Sequence, residues 1–268
     1  MKLTVLADNS TVIGSYFVGE PGVSYYIECE GKKILFDTGY SDVYLQNANK
    51  LGVDLRELDM IVLSHGHDDH TGGLGLLPAQ DKKPLLVGHP LLFEPKRHNG
   101  RVFGCPTSEA EAARRFTLRL TDKPFALTPK LFYLGQIPRM NDFENKEPLG
   151  VRLHEGAEIP DFLPDDSALA YRGEEGLSII TGCSHCGICN IIEQARRVTG
   201  EQRIRSVIGG FHLMIPGSVQ IERTAEYLAA LKDAELYPCH CTCFFARAAI
   251  HSRIPIRETG SGCVYEWK

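Results

Sequence analysis

The sequence predicts an α+β protein in which two β-sheets pack face to face and helices cover their outer sides. Three observations carry that expectation. Strand-like apolar runs dominate both halves of the chain, and helical patterns fall between and after them. The second half repeats the style of the first, without any internal repeat or long linker. Hydrophobic residues make up 43% of the 268 and charged residues 24%, the balance of a folded domain with a sizeable core. A single domain over residues 1–268 is expected.

The elements follow in order. Lys2–Leu6, Val23–Cys29 and Lys33–Phe36 read as strands, the last two joined by the hairpin turn Glu30-Gly31-Lys32. Ser41–Leu51 reads as a helix closed by Gly52, Met60–Leu63 as a short buried strand and Leu85–Val87 as another. The stretch from Phe93 to Glu147 is rich in Pro, Arg and Lys and reads as an insertion or lid; within it Ser108 and Glu111 form a capping-box pattern ahead of a short helix. Leu169–Tyr171, Leu177–Thr181 and Arg205–Ile208 read as strands, Asn190–Val198 as a helix ended by Gly200, Val219–Ala234 as an amphipathic helix and Val264–Trp267 as a final strand.

Charge and composition exclude some classes of function. With 29 Lys+Arg against 34 Asp+Glu the net charge is −5, which argues against a dedicated nucleic-acid binder. No apolar run approaches the length of a membrane span, and the N-terminus lacks the apolar core of a signal peptide. A cytoplasmic location with reduced cysteines is therefore expected. The nine cysteines are not scattered as a disulfide framework would be: Cys183, Cys186 and Cys189 crowd one segment, and Cys239, Cys241 and Cys243 another.

The chemistry concentrates in Ser64-His65-Gly66-His67-Asp68-Asp69-His70, directly after the strand at Met60. In an extended loop alternate residues point the same way, so His65, His67 and Asp69 can face one side while His70 turns toward a second ion. Imidazole with one carboxylate suits zinc, iron and similar divalent metals. Further donors must come from elsewhere. His185, His212 and His240 each follow a strand-like run, and strand ends converge on one rim of a sheet. His89, His98, His154 and His251 lack that setting and read as ordinary structural residues.

The pattern His65-x-His67-x-Asp69-His70, with Phe36-Asp37-Thr38-Gly39 upstream, resembles the metallo-β-lactamase superfamily. More narrowly it resembles the group of metal-dependent hydrolases often labelled dihydropterin ribofuranosyl-aminobenzene phosphate synthases. Gly135–Arg139, Asp165–Leu169, Thr181–His185, Gly209–Leu213 and His240-Cys241-Thr242 extend the likeness over nearly the whole chain. The resemblance implies an αββα sandwich with a dinuclear site at one edge. His65, His67 and His185 would hold one metal; Asp69, His70 and His240 the other; Asp37 would orient ligands from beneath. Two divalent ions are implied, zinc foremost, with iron or manganese as other choices.

Two departures from the family pattern stand out. Many members supply a bridging Asp after the third motif, but Arg205–Leu213 contains no acid and His212 stands in its place. With Asp69 as the one anionic ligand, most of the cationic charge is left uncompensated, which predicts a loosely held second metal and an anionic substrate. The cysteines are the other departure. Cys186 and Cys243 replace small residues; they read as buried hydrophobes, as a redox pair or, for Cys183-x2-Cys186-x2-Cys189, as part of an iron–sulfur run.

The expected function is hydrolysis of an anionic, phosphorylated small molecule by a metal-activated water, with Asp69 orienting that water or taking its proton and Arg139 and the basic stretch from Lys96 to Arg119 holding the anion. The group's label points to a pterin-related synthase as the alternative, and the cysteines to a redox-active or sensing metalloprotein.

Overall fold

A computed structural model describes residues 1–268. Its strands form two large sheets. The first has seven strands in the order Val264–Glu266, Lys2–Ala7, Ser24–Cys29, Lys32–Phe36, Met60–Val62, Leu85–Gly88 and Thr117–Leu120. The second has six, in the order Glu235–Cys239, Ile204–Gly210, Gly176–Thr181, Ala168–Gly173, Leu131–Tyr133 and Phe125–Ala126. A four-stranded sheet, Ala157–Pro160, Val151–His154, Lys96–His98 and Arg101–Val102, stands beside them. No helix is long and apolar enough to cross a membrane.

The period-2 alternation of the strands builds the layers. Tyr25 and Ile27 join Ile34 and Phe36 in a core shared with Leu169, Tyr171, Ile180, Ile208 and Tyr237, which is the space between the two sheets. The intervening Tyr26 and Leu35 face the opposite way, onto Tyr44 and Ala48 of the helix Val43–Leu51. In the second sheet Ala170, Ile179, Val207 and Leu236 pack outward on Ile191, Ile192 and Ala195 of the helix Ile188–Thr199 and on Ala225 and Leu228 of Val219–Ala229. Three cores between four layers make a helix–sheet–sheet–helix sandwich, as expected.

Each sheet changes from antiparallel to parallel pairing partway across. Lys32–Phe36 pairs antiparallel with Ser24–Cys29 but parallel with Met60–Val62. Gly176–Thr181 pairs antiparallel with Ala168–Gly173 but parallel with Ile204–Gly210, which in turn runs parallel to Glu235–Cys239. Parallel strands release their chains at one common edge, so the loops after residues 36, 62, 181, 210 and 239 gather there.

Several boundaries move. The helix expected from Ser41 starts at Val43, and Gly52 ends it in the left-handed region with φ +68°. The helix expected to reach Ala234 ends at Ala229; Leu231 and Ala234 continue in tight turns, with Lys232 at φ +46° breaking the helix. The capping box at Ser108 forms, with both reciprocal hydrogen bonds. The stretch 93–147 supplies strands to both sheets: Thr117–Leu120 closes one border of the first sheet, and Leu131–Tyr133 joins the second. Its strand Lys96–His98 carries a fully buried lysine, whose Nζ donates to Asp161 and Asp165 at 3.1 Å each. Asp165 in turn accepts from the Gly66 N–H at 2.8 Å, inside the histidine-rich loop.

Removing one partner strands buried charge of the other sign. Lys96→Met should therefore lower unfolding stability by about 3–5 kcal/mol in a urea titration. A loss below about 1 kcal/mol would show that the Asp161–Asp165 cluster is hydrated or neutral rather than held by the ammonium.

Candidate metal centre

Asp37 follows the strand Lys32–Phe36 and adopts φ +56°, a left-handed conformation that Asp tolerates better than most residues. The turn buries its carboxylate entirely. Oδ1 accepts from the Ser64 backbone N–H at 2.7 Å, and Oδ2 from the Ser64 hydroxyl at 2.7 Å. Oδ2 also accepts from His70 Nδ1 at 2.7 Å. A hydroxyl has one hydrogen, and that of Ser64 points at Asp37, so Ser64 Oγ accepts from His65 Nδ1 at 2.9 Å. One carboxylate thereby orients two imidazoles: it leaves His65 Nε2 as a bare lone pair and turns His70 Nε2 toward the Asp69 carboxylate.

Two donor groups converge above it. The first is His65, His67 and His185, all buried, with ring centroids 4.5 to 4.7 Å apart. Nε2 of all three is buried without a hydrogen-bond partner. Three orphaned imidazole nitrogens facing one point would each cost a desolvation penalty, which a shared cation removes. Burial pushes His65 and His185 well below their ordinary range and His67 down to about 3, so all three stay neutral, the form that binds metal.

The second group is Asp69, His70, His240 and Cys183. His240 Nδ1 lies 2.7 Å from the Asn9 side-chain oxygen, which turns its Nε2 inward, toward Asp69 Oδ2 at 3.4 Å. His70 Nε2 lies 3.7 Å from the same oxygen. Burial by itself would raise the Asp69 carboxyl, but His70 and His240 hold it well below the usual carboxylate range. Burial alone would lower His70, yet Asp69 and Asp37 lift it to about 9. The same negative field favours a cation at this point.

His212 belongs to neither set. Its ring sits 4.2 Å from that of His185, and it groups with Cys183 and His185. Its Nδ1 is also buried without a partner. The close approach of the loops depends on glycine: a Cβ at Gly182 would strike the Ser64 hydroxyl and lie 3.0 Å from Asp37 Oδ2, and one at Gly210 would lie 2.5 Å from Cys241 Sγ. Ser184, His212 and His240 share the left-handed backbone of Asp37, with φ from 48 to 58°. Such strain gathers where the surroundings over-determine a site.

The remaining sequence candidates separate. Cys183 faces the donors, whereas Cys186 and Cys189 turn into the apolar core beneath the second sheet, because a helix begins at Ile188. Cys243 precedes the helix Phe244–His251 and packs on the same core. All nine cysteines are free thiols. Arg139 does not line the cleft over the donors: its guanidinium donates to the carbonyls of Asn145 and Phe162 and ties two loops together. In the basic stretch, Lys96 is buried in its ion pair, Arg115 caps carbonyls of Leu74, Gly75 and Leu77, and Arg119 lies over the Phe125 ring. Arg101 is the cation of that stretch that reaches the cleft, paired with Asp68 at 3.2 Å. The cleft has a volume of about 640 Å³, and His98, Phe103, Tyr40 and Met214 complete its walls. Asn9 escaped the sequence reading, since it lies in no recognisable metal motif, and Arg101 was legible only as one cation of a basic stretch.

Asp37→Ala frees two imidazoles to adopt the wrong tautomer. Its affinity for divalent metal should fall by about 10–100-fold in a chelator competition. Unchanged affinity would mean that packing alone orients His65 and His70.

Comparisons with known proteins identify the family. The family model of the metallo-β-lactamase superfamily matches residues 18–240. A protein of Methanocaldococcus jannaschii named 7,8-dihydropterin-6-methyl-4-(β-D-ribofuranosyl)-aminobenzene-5'-phosphate synthase is 33% identical over 261 residues, covering 92% of this chain and 89% of its own. An uncharacterized protein of the same organism is 30% identical over 246 residues, covering 91% of each. Among solved structures, Tm1679, a metal-dependent hydrolase of the β-lactamase superfamily, superposes with a TM-score of 0.86 at 32% identity, over 99% of this chain and 98% of its own. Zinc-bound PqqB from Methylobacterium extorquens shares the fold, with a TM-score of 0.57 at 14% identity, over 99% of this chain and all of its own. The chain belongs to the metallo-β-lactamase superfamily.

Proposed function

We propose that this protein is a dinuclear metal-dependent hydrolase acting on an anionic, phosphorylated small molecule. One observation carries the reading: two sets of buried donors, one of them with three unpartnered Nε2 atoms, lie side by side at the floor of a cleft with a cation at its rim. His65, His67 and His185 would hold one ion, and Asp69, His70 and His240 the other. Bound divalent ions supply Lewis-acid polarisation of the scissile group and acidify a water. Zinc suits the nitrogen-rich donor set.

The chain's own residues do the rest. Asp69, ionised and 29% exposed through its side chain, reaches the cleft and accepts a hydrogen bond from the attacking water, aiming its lone pair at the substrate. Arg101 and His98 stand at the mouth, where they can bind a phosphate remote from the reacting bond. Phe103, whose ring is 4.6 Å from that of His67, offers a flat apolar wall for an aromatic or heterocyclic part. Asp37, Ser64 and Asn9 keep the imidazoles in register throughout.

A second reading is the joining of a dihydropterin precursor to a ribofuranosyl-aminobenzene phosphate. The 33% identity to the M. jannaschii synthase over nearly the full length of both chains favours it. The same cleft suits that reaction, since its substrate is also phosphorylated and aromatic.

The deciding assay sets a panel of phosphate esters and diesters beside the synthase pair, using metal-loaded protein. Hydrolysis without the pterin partner supports the first reading; turnover that requires both substrates replaces it with the second. Under either, Arg101→Ala should raise KM for the phosphorylated substrate by about 10-fold with kcat nearly unchanged, the signature of lost uniform binding. Asp69→Asn should lower kcat by about 100-fold or more. A neutral analogue turned over as well as the phosphorylated substrate would remove Arg101 from recognition.

A further inference from the structure

One donor in the second group is unlike the rest. Cys183 Sγ lies 3.1 Å from His70 Nε2 and 3.2 Å from His240 Nε2. Nδ1 of each imidazole is engaged elsewhere, by Asp37 for His70 and by Asn9 for His240, so both turn Nε2 toward the sulfur. Asp69 Oδ2 completes the cluster at 3.4 and 3.7 Å from the same two nitrogens. For tetrahedral zinc, with bonds of about 2.0–2.3 Å, neighbouring donor atoms stand roughly 3.3–3.8 Å apart. Two nitrogens, a carboxylate oxygen and a sulfur at nearly that spacing form a four-donor cage.

We propose that the Cys183 thiolate is a ligand of the ion held by Asp69, His70 and His240, in place of the carboxylate that the stretch Arg205–Leu213 lacks. The proposal rests on the metal-dependent reading of the same site. Its local cause is the segment Gly182-Cys183-Ser184-His185 at the end of the strand Gly176–Thr181. Gly182 lets that strand end close against Ser64 and Asp37. The chain then turns through left-handed Ser184, so one strand end delivers His185 to the first donor group and Cys183 to the second.

Two consequences follow. The thiolate adds a second anion beside Asp69, so the second ion is held firmly rather than loosely. Sulfur also selects zinc, iron or cobalt over manganese and magnesium, which prefer oxygen donors.

Cobalt(II) substitution reads the ligand directly, without turnover. The wild-type protein should bind two cobalt ions and show a near-ultraviolet sulfur-to-cobalt charge-transfer band. Cys183→Ala should lose the band and bind its second ion more than about 100-fold more weakly, a larger loss than removing a group that only orients a ligand. Cys183→Asp, which restores an anion but not sulfur, should recover the second ion without the band; it also shows that loss in the Ala variant is not misfolding. Cys241→Ser should keep the band. A band that survives in Cys183→Ala, or two ions bound by the wild type with no band, overturns the Cys183 assignment and leaves the metal-dependent reading standing. Wild-type protein that binds no cobalt overturns both.

Discussion

The buried carboxylate of Asp37 is the constraint around which the site is built. It touches no cleft and faces no substrate. Instead it collects the Ser64 backbone N–H, the Ser64 hydroxyl and His70 Nδ1 within 2.7 Å each, and through Ser64 it governs His65. An imidazole can present a lone pair at only one nitrogen when the other carries the proton. Fixing the protonated nitrogen below fixes the free nitrogen above. Because His65 belongs to one donor group and His70 to the other, a single acid aligns both.

The sandwich makes this economical in chain length. Each sheet switches to parallel pairing at the strands that matter, so five loops emerge at one edge and bring their donors together. Those loops meet at very short range. Gly182 and Gly210 have no room for a side chain, and Asp37, Ser184, His212 and His240 hold left-handed backbone. The layered core on both sides holds these conformations, since no loop could adopt them in isolation. Lys96 supports the same arrangement from the side. Its ammonium bridges Asp161 and Asp165 in the interior, with Arg152 3.9 Å from Asp161, and Asp165 fixes the Gly66 N–H between two candidate ligands.

Charge explains how the edge is divided. The first donor group is wholly imidazole and is kept neutral by burial. The second carries Asp69 and, with Cys183, a sulfur close to Nε2 of His70 and of His240. Anions therefore approach the first group more readily than the second, and the guanidinium of Arg101 beside Asp68 lies at the cleft that leads to both.

The sequence by itself determined much of this protein. The strand-like apolar runs Val23–Cys29, Lys33–Phe36, Leu169–Tyr171 and Leu177–Thr181 were enough to place two sheets, because buried strands must carry apolar side chains. The spacing His65-x-His67-x-Asp69-His70 was enough to single out the candidate metal-binding loop, because a local motif keeps its donors close whatever surrounds it. The weak, short strands of 93–147 were illegible: Thr117–Leu120 and Leu131–Tyr133 are strands chiefly because a sheet edge was there to receive them. Tertiary structure alone decided which of three clustered cysteines faces the donors, since the helix start at Ile188 turns Cys186 and Cys189 into the core. It likewise drew Asn9 to His240 across 231 positions, tied Arg139 to backbone carbonyls and left Arg101 at the cleft. Those outcomes depend on contacts between segments far apart in the chain, and no pattern of neighbouring residues encodes them.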